Sequence, residues 1–387
     1  MNAAPTSPSN RILPIDATRG AVMLFSCLAH FAWWIHAAYP DASSELSAIG
    51  MVATPTFLML SGAMVGMLCA GAARSGRDLR SQLLNRGLFL LTVGHILIAL
   101  AEAHPNGGFF NSMRGITVVD DIGLCTLVAS LCVPQLARRE FCERVALFAL
   151  IGLAIAWLGN VFWMPHQLST AALENLLIGG NAILEPHSAH TPVLQYVALY
   201  VIGLPVGHYF ARSVSEPLAP RVVAAQFFTI GVTLVGLAIP LRGFRHFYGG
   251  VAGGHAEALV MTLRVTVKTP PSPGYLLFFG GCAALLVALM FRASTSDSPR
   301  TRAALDGLAV IGRASFMVFV LQYYLCWTLP DWLGIPVNRY AILVFVANVL
   351  LIRLAAGIWT HFNGNRWLTF GIRLGGKPKT AERTSPG

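Results

Sequence analysis

The sequence predicts an all-α fold, a polytopic membrane helix bundle, and three observations carry that prediction. Hydrophobic residues make up 55% of the 387-residue chain and charged residues only 11%, and the mean hydropathy is +0.63, a balance foreign to water-soluble domains. Apolar stretches of about 18 to 25 residues recur along nearly the whole chain, each able to cross a hydrocarbon core of roughly 30 Å at 1.5 Å per residue. These runs are unbroken rather than alternating, which excludes barrel strands and leaves helices.

Taken in order, apolar windows place about ten spans near residues 12–37, 47–70, 84–103, 116–136, 145–164, 193–211, 222–241, 273–291, 304–328 and 340–360. The start, "MNAAPTSPSN", lacks the basic region of a cleavable signal, and no small-residue cleavage site follows the first apolar run, so that run is read as a retained helix. One membrane domain over 12–362 accounts for the chain, with a short segment 1–11 before it and a basic tail 363–387 after it; no internal repeat or low-complexity stretch divides it.

Charge sets the expected orientation. Arg74, Arg77, Arg80 and Arg86, then Arg138, Arg139 and Arg144, then Arg212 and Arg221, then Arg292, Arg300 and Arg302, and finally the tail fall on one side, whereas the loops 104–115, 165–192 and 330–339 hold only Arg114 and Arg339. By the positive-inside rule both termini are expected in the cytoplasm; the expected location is the inner (plasma) membrane. The net charge of +10 is thus topogenic and implies membrane lipids rather than a nucleic acid as partner. The loop "LRGFRHFYGGVAGGHAEALVMTLRVTVKTPPSPG" breaks the rule with Arg242, Arg245, Arg264 and Lys268; it is either a cationic surface or a segment that re-enters the membrane. The seven cysteines show no CxxC pair and no Cys/His ligand spacing, so neither a disulfide framework nor a metal site is expected.

Chemistry concentrates on the first span, "RILPIDATRGAVMLFSCLAH". Arg19 and His30 are eleven residues apart, which at 100° per residue leaves them about 20° from the same azimuth and roughly 16 Å apart along the axis. Arg19 then sits near the inner interface, where it can meet phosphates, while His30 reaches about half a membrane thickness inward. Asp16 lies three residues before Arg19, within pairing distance on a helix. The plainer reading makes Asp16 and Arg19 interfacial anchors and His30 a hydrogen-bonding group between helices. Against it, ionisable groups inside a membrane are expensive and tend to mark sites, and histidine suits general-base work near neutrality.

The segment "IDATRGAVMLFSCLAH" resembles the opening signature of the acyltransferase-3 superfamily of integral membrane acyltransferases: Asp, then Arg-Gly, then His, with ten residues between Arg and His. In the same order, "PTFLMLSGAMVGM", "LRSQLLNRGLFLLTVGHIL", "TPVLQYVALYVIGLPVGHYFAR", "KTPPSPGYLLFFGGCAALLVAL" and "IGRASFMVFVLQYYL" are similar to later helices of its branch of heparan-alpha-glucosaminide N-acetyltransferase-like proteins. The resemblance implies transfer of an acyl group, typically acetyl, from cytoplasmic acyl-CoA (acetyl-CoA) to a hydroxyl or amine of a glycan, lipid-linked sugar or small-molecule acceptor. His30 would be the base, with Arg19 and Asp16 beside it, and no cofactor would be bound permanently. Direct transfer needs no nucleophilic cysteine. Where the related pattern carries a histidine in the ninth helix this chain has Gln322, which can hold a ligand but cannot take up a proton.

Further candidates carry two readings each. For the donor they are Arg86 (phosphate contact or topogenic charge), Ser61 beside Gly62 (pantetheine approach or helix packing), and Lys268 with Ser272 around "TPPSP" (pocket wall or loop). For the acceptor they are Asp120 and Asp121 (acceptor contact or helix capping), Gln322, and the pair Trp33 and Trp34, which like Tyr323 and Tyr324 read first as an interfacial belt and second as a sugar-stacking surface. His95 and His208 read as packed or interfacial. A transporter or flippase for a lipid-linked or anionic solute, and a catalytically silent acyltransferase relative, are the competing functions. The charge asymmetry predicts that a reporter active only outside the cytoplasm stays silent when fused after residue 387; robust activity there would reverse the orientation of Arg19.

Overall fold

The computed structural model describes residues 12–38, 48–75, 78–103, 108–162, 192–215, 219–248, 271–335 and 337–372. Its long helices are α1 (Leu13–Ala38), α2 (Ala53–Ser75), α3 (Leu79–Phe89), α4 (His95–Glu102), α5 (Val118–Leu131), α6 (Arg139–Phe162), α7 (Val193–Ser215), α8 (Pro220–Tyr248), α9 (Pro273–Ala293), α10 (Pro299–Arg313), α11 (Ser315–Tyr323) and α12 (Val337–His361). A π-helical turn, Leu90–Gly94, joins α3 to α4, and another, Tyr324–Thr328, extends α11. The chain is therefore an all-α, polytopic membrane helix bundle.

Among the described residues, seven helices are long and apolar enough to cross a bilayer, or eight if α10 and α11 together form one span. A helix occupies each of the ten predicted windows. That of 116–136 is interrupted: α5 has only 14 residues, roughly 21 Å of rise against a core of roughly 30 Å, and a separate short helix, Val133–Leu136, follows it. Helices α6, α8 and α12 turn Phe148, Ile155, Ile239, Leu343, Leu350 and Leu354 outward, as hydrocarbon-facing helices do.

Two glycine-mediated crossings set the packing. On α2 and α7, Gly62, Gly66, Gly203 and Gly207 face one another so closely that a Cβ at Gly62 would lie 1.8 Å from the Tyr200 carbonyl oxygen, and one at Gly207 would lie 2.0 Å from that of Ala63. This is small-residue packing of the kind that drives helix association where lipid removes any hydrophobic gain. Similarly, α1 meets α10 where a Cβ on Gly20 would come 1.9 Å from the Leu308 oxygen and one on Gly312 1.8 Å from that of Asp16. Immediately afterwards the chain bends by 76° between α10 and α11, at Ala314 (φ −96°, ψ 16°). The Arg313 carbonyl, a natural orphan at a helix end, accepts from Asn365 Nδ2 at 2.9 Å.

Asn365 belongs to a strap formed by residues 364–372, which sequence reasoning left in the basic tail. The chain reverses after α12 at Asn363 (φ 51°). Asn85 of α3 then latches the strap, its Oδ1 accepting from the N–H groups of Phe370 (3.1 Å) and Ile372 (2.9 Å) and its Nδ2 donating to the Ile372 oxygen at 2.6 Å. At the start of α3, Asp78 caps the helix by accepting from Ser81 N–H at 3.1 Å. The Ser81 hydroxyl and N–H hold the Asp78 carboxyl below its usual range.

The crossings make a direct test. Gly62→Val and Gly203→Leu, whose new side chains meet carbonyl backbone, should destabilise the bundle by about 3 kcal/mol, the upper end of overpacking effects. Gly152→Ala and Gly236→Ala, where a Cβ meets nothing within 4 Å, should be neutral or stabilising by up to about 1 kcal/mol. Thermal unfolding in one detergent compares the four, and equal midpoints would remove the crossings as determinants of the fold.

Candidate functional site

The first helix presents a polar stripe, and the bend after α10 supplies its counterpart. Arg19, Ser26 and His30 are spaced by seven and four residues, about two turns and one turn of one face. Opposite them run α11 and its π-helical extension. Arg19 Nη2 donates to Ser315 Oγ at 2.5 Å, Gln322 Nε2 donates to Ser26 Oγ at 3.1 Å, and the His30 ring stands edge-on to Tyr323 with centroids 4.6 Å apart. Asp16 reaches Arg19 at 4.0 Å. Gln322 is fully buried, and its Oε1 has no hydrogen-bond partner among the described residues.

Arg86 approaches the lower end of this stripe from α3. Its guanidinium lies 5.6 Å from the centre of the Phe316 ring, a cation–π distance. Arg19 and Arg86 thus converge on the adjacent residues 315 and 316, close enough for their charges to interact unfavourably. Asp16 offsets the charge of Arg19 at 4.0 Å; with Arg86 added beside the N-terminus of α11, positive charge still predominates there. The strap borders this end of the bundle: Phe370 packs on Phe89 (5.9 Å) and Phe89 on Phe316 (5.8 Å).

No protein-family model matches this chain, and no curated protein is significantly similar to it. The bundle's own geometry carries the functional reading.

At the other end of the stripe lies a second polar group. His95 Nδ1 sits 3.0 Å from both Asp120 oxygens, and its Nε2 is 3.2 Å from the Met113 carbonyl oxygen. Asp120 also accepts from Thr117 N–H (2.7 Å) and Oγ1 (2.9 Å), completing a capping box at the start of α5. Glu102 is within electrostatic range of Asp120 and His95, and Tyr323 within range of Glu102 and Asp120. Tyr323 thus touches His30 and lies within electrostatic range of a carboxylate–imidazole cluster.

The predicted residues sort as follows. Asp16, Arg19, His30, Arg86 and Gln322 come together along α11. Asp120 joins His95, while Asp121, one position on, is buried in the α5 interface. Ser61 neighbours the Gly62 crossing, and Ser272 caps α9 by accepting from Tyr275 N–H at 2.9 Å. Trp33 and Trp34 lie on the described backbone of α1, but their side chains, like all of Lys268, fall outside the described residues. His208 is packed, 2.8 Å from the Leu136 oxygen. Sequence reasoning passed over Ser26 and Glu102 as site residues, and gave Tyr323 a site role only as a second reading, in a sugar-stacking surface. Ser26 could have been found from its i+4 relation to His30; Glu102 and Tyr323 depend on which helices meet.

Cutting the His95–Asp120 pair should test its structural weight. Both side chains are largely buried, so Asp120→Ala, which also removes the cap, should destabilise the protein by about 4 to 6 kcal/mol. Asp120→Asn keeps an oxygen for Thr117 and should lose less. Identical losses in detergent unfolding would leave the cap without influence.

Proposed function

We propose that this chain is an integral membrane acyltransferase that moves an acyl group, acetyl in the simplest case, from cytoplasmic acyl-CoA to a hydroxyl or amine of a glycan or other envelope acceptor. The observation that carries the reading is the stripe Arg19–Ser26–His30 set against Ser315, Gln322 and Tyr323. It supplies a cationic end for phosphates and a histidine roughly 16 Å deeper along one helix face, close to the reach of an extended pantetheine arm. The residue pattern of α1, which resembles that of the acyltransferase-3 superfamily, supports the same reading. So does the charge asymmetry, which favours about ten spans in an inner membrane with both termini cytoplasmic.

In this reading Arg19 and Arg86 hold the CoA phosphates through charge-assisted hydrogen bonds. His30 takes the proton from the acceptor as its oxygen or nitrogen attacks the thioester carbonyl. The C–S bond then breaks, and the protonated histidine returns a proton to the departing thiolate. Gln322 positions the attacking hydroxyl. The 76° break between α10 and α11 is the one feature that favours a transporter instead, since discontinuous helices line many solute pathways.

His30→Gln separates the two. It should insert normally, retain acyl-CoA binding and lose acyl transfer to envelope glycans by at least about 10²-fold, whereas Arg19→Ala should weaken acyl-CoA binding itself. Radiolabel from acetyl-CoA reads out both. Transfer at the parental rate by His30→Gln would make the histidine structural and move transport ahead.

A further inference from the structure

A cavity of about 740 Å³ opens between α2, α7, α8 and α9, within the range of small-molecule sites. None of its lining residues comes from α1, α3 or α11, so it is separate from the Arg19–His30 stripe and independent of the proposed reaction. Its apolar wall includes Leu60, Pro205, Phe227, Ile230, Leu234 and Gly280. Thr56 and Thr229 also face it, but their hydroxyls donate within their own helices, to Val52 (2.6 Å) and Ala225 (3.0 Å), and so present little unmet polarity. From Gln226 to Leu234 the cavity follows α8 for roughly 12 Å, along a membrane-spanning helix.

Unmet polarity gathers at one end. Arg139, Glu143, Tyr209 and Gln226 line the cavity there, at the start of α6, the last turns of α7 and the start of α8, where the basic loops lie. Arg139 Nε donates to Glu143 at 2.6 Å, which neutralises that carboxylate and uses one of the five guanidinium N–H groups. The Tyr209 hydroxyl donates to Gln226 Oε1, which leaves the Gln226 amide nitrogen as a donor. The polar end thus offers donors in excess of acceptors, and an acceptor-only phosphate complements it. Bulk is lacking where a chain would lie: a Cβ built on Gly280 meets nothing within 4 Å.

We propose that this cavity is a binding site for a membrane glycerophospholipid, with one acyl chain between α2, α8 and α9 and the phosphate at Arg139 and Gln226. The test uses the purified full-length protein in nanodiscs containing phosphatidylglycerol with a photoactivatable diazirine on its acyl chain, and maps cross-links by mass spectrometry. Labelling should concentrate on Phe227, Ile230 and Leu234 over Ile342 and Leu343, which face lipid on α12. Gly280→Phe, and the smaller Gly280→Leu, should abolish the cavity labels and leave those on α12. Arg139→Gln should weaken competition by unlabelled phosphatidylglycerol by about tenfold while diacylglycerol competes as before. Cavity labelling no denser than on α12 in the parental protein would overturn the site. Equal competition by diacylglycerol and phosphatidylglycerol would overturn the phosphate assignment.

Discussion

The crossing of α1 over α10 is the constraint on which the rest of the site depends. Gly20 and Gly312 let the two backbones touch, each occupying the space where any side chain would strike the other helix's carbonyl oxygen. Because contact is made at the last turn of α10, the 76° bend that follows throws α11 along the polar face of α1 rather than away from it. Ser315, Gln322 and Tyr323 then meet Arg19, Ser26 and His30 in order. The glycine beside Arg19 is thus as much part of the site as the arginine, since it sets the depth and angle at which the partner helix arrives.

Polar groups in an apolar bundle persist only where the fold gives them partners. Arg19 has Ser315 and Asp16, Gln322 has Ser26 on one side of its amide, and Asp120 is held by its capping box and His95. Both π-helical turns fall where these groups meet. Tyr324 donates to the Leu97 oxygen at 2.9 Å and Thr328 to that of Ala101 at 3.1 Å, so the widened turn after α11 is fastened to α4, which itself follows a π-turn. Such widened turns are frequent at functional sites because they rotate the side chains that follow without breaking the helix.

The phospholipid cavity and the α1 stripe illustrate two ways a membrane protein builds a site. The stripe brings charged and hydrogen-bonding groups from distant helices to one seam. The cavity arises from small residues, Gly280 among them, that leave room between helices otherwise in contact, with donors confined to its rim. They share α2 as a neighbouring wall: Leu60 and Ala63 face the cavity, while Phe57 packs against Phe319 of α11 at 6.4 Å.

Hydropathy and the 3.6-residue period by themselves determined the class of fold, the position of a helix in every apolar window, and the shared face of Arg19 and His30, because each is a property of one segment in its own neighbourhood. They also led to Asp120 as a cap, since capping is decided within one turn. They did not foresee the interruption of the window 116–136, where apolarity runs on through Cys132 but α5 ends at Leu131 and a separate short helix, Val133–Leu136, follows. Tertiary structure alone decided that His95 pairs with Asp120, that Tyr323 faces His30 rather than an interfacial belt, that Gln322 answers Ser26, and that residues 364–372 return to Asn85. Those contacts join residues as far as 296 positions apart, and they depend on crossing angles and a helix break whose geometry comes from how backbones fit together, not from the polarity pattern of either partner.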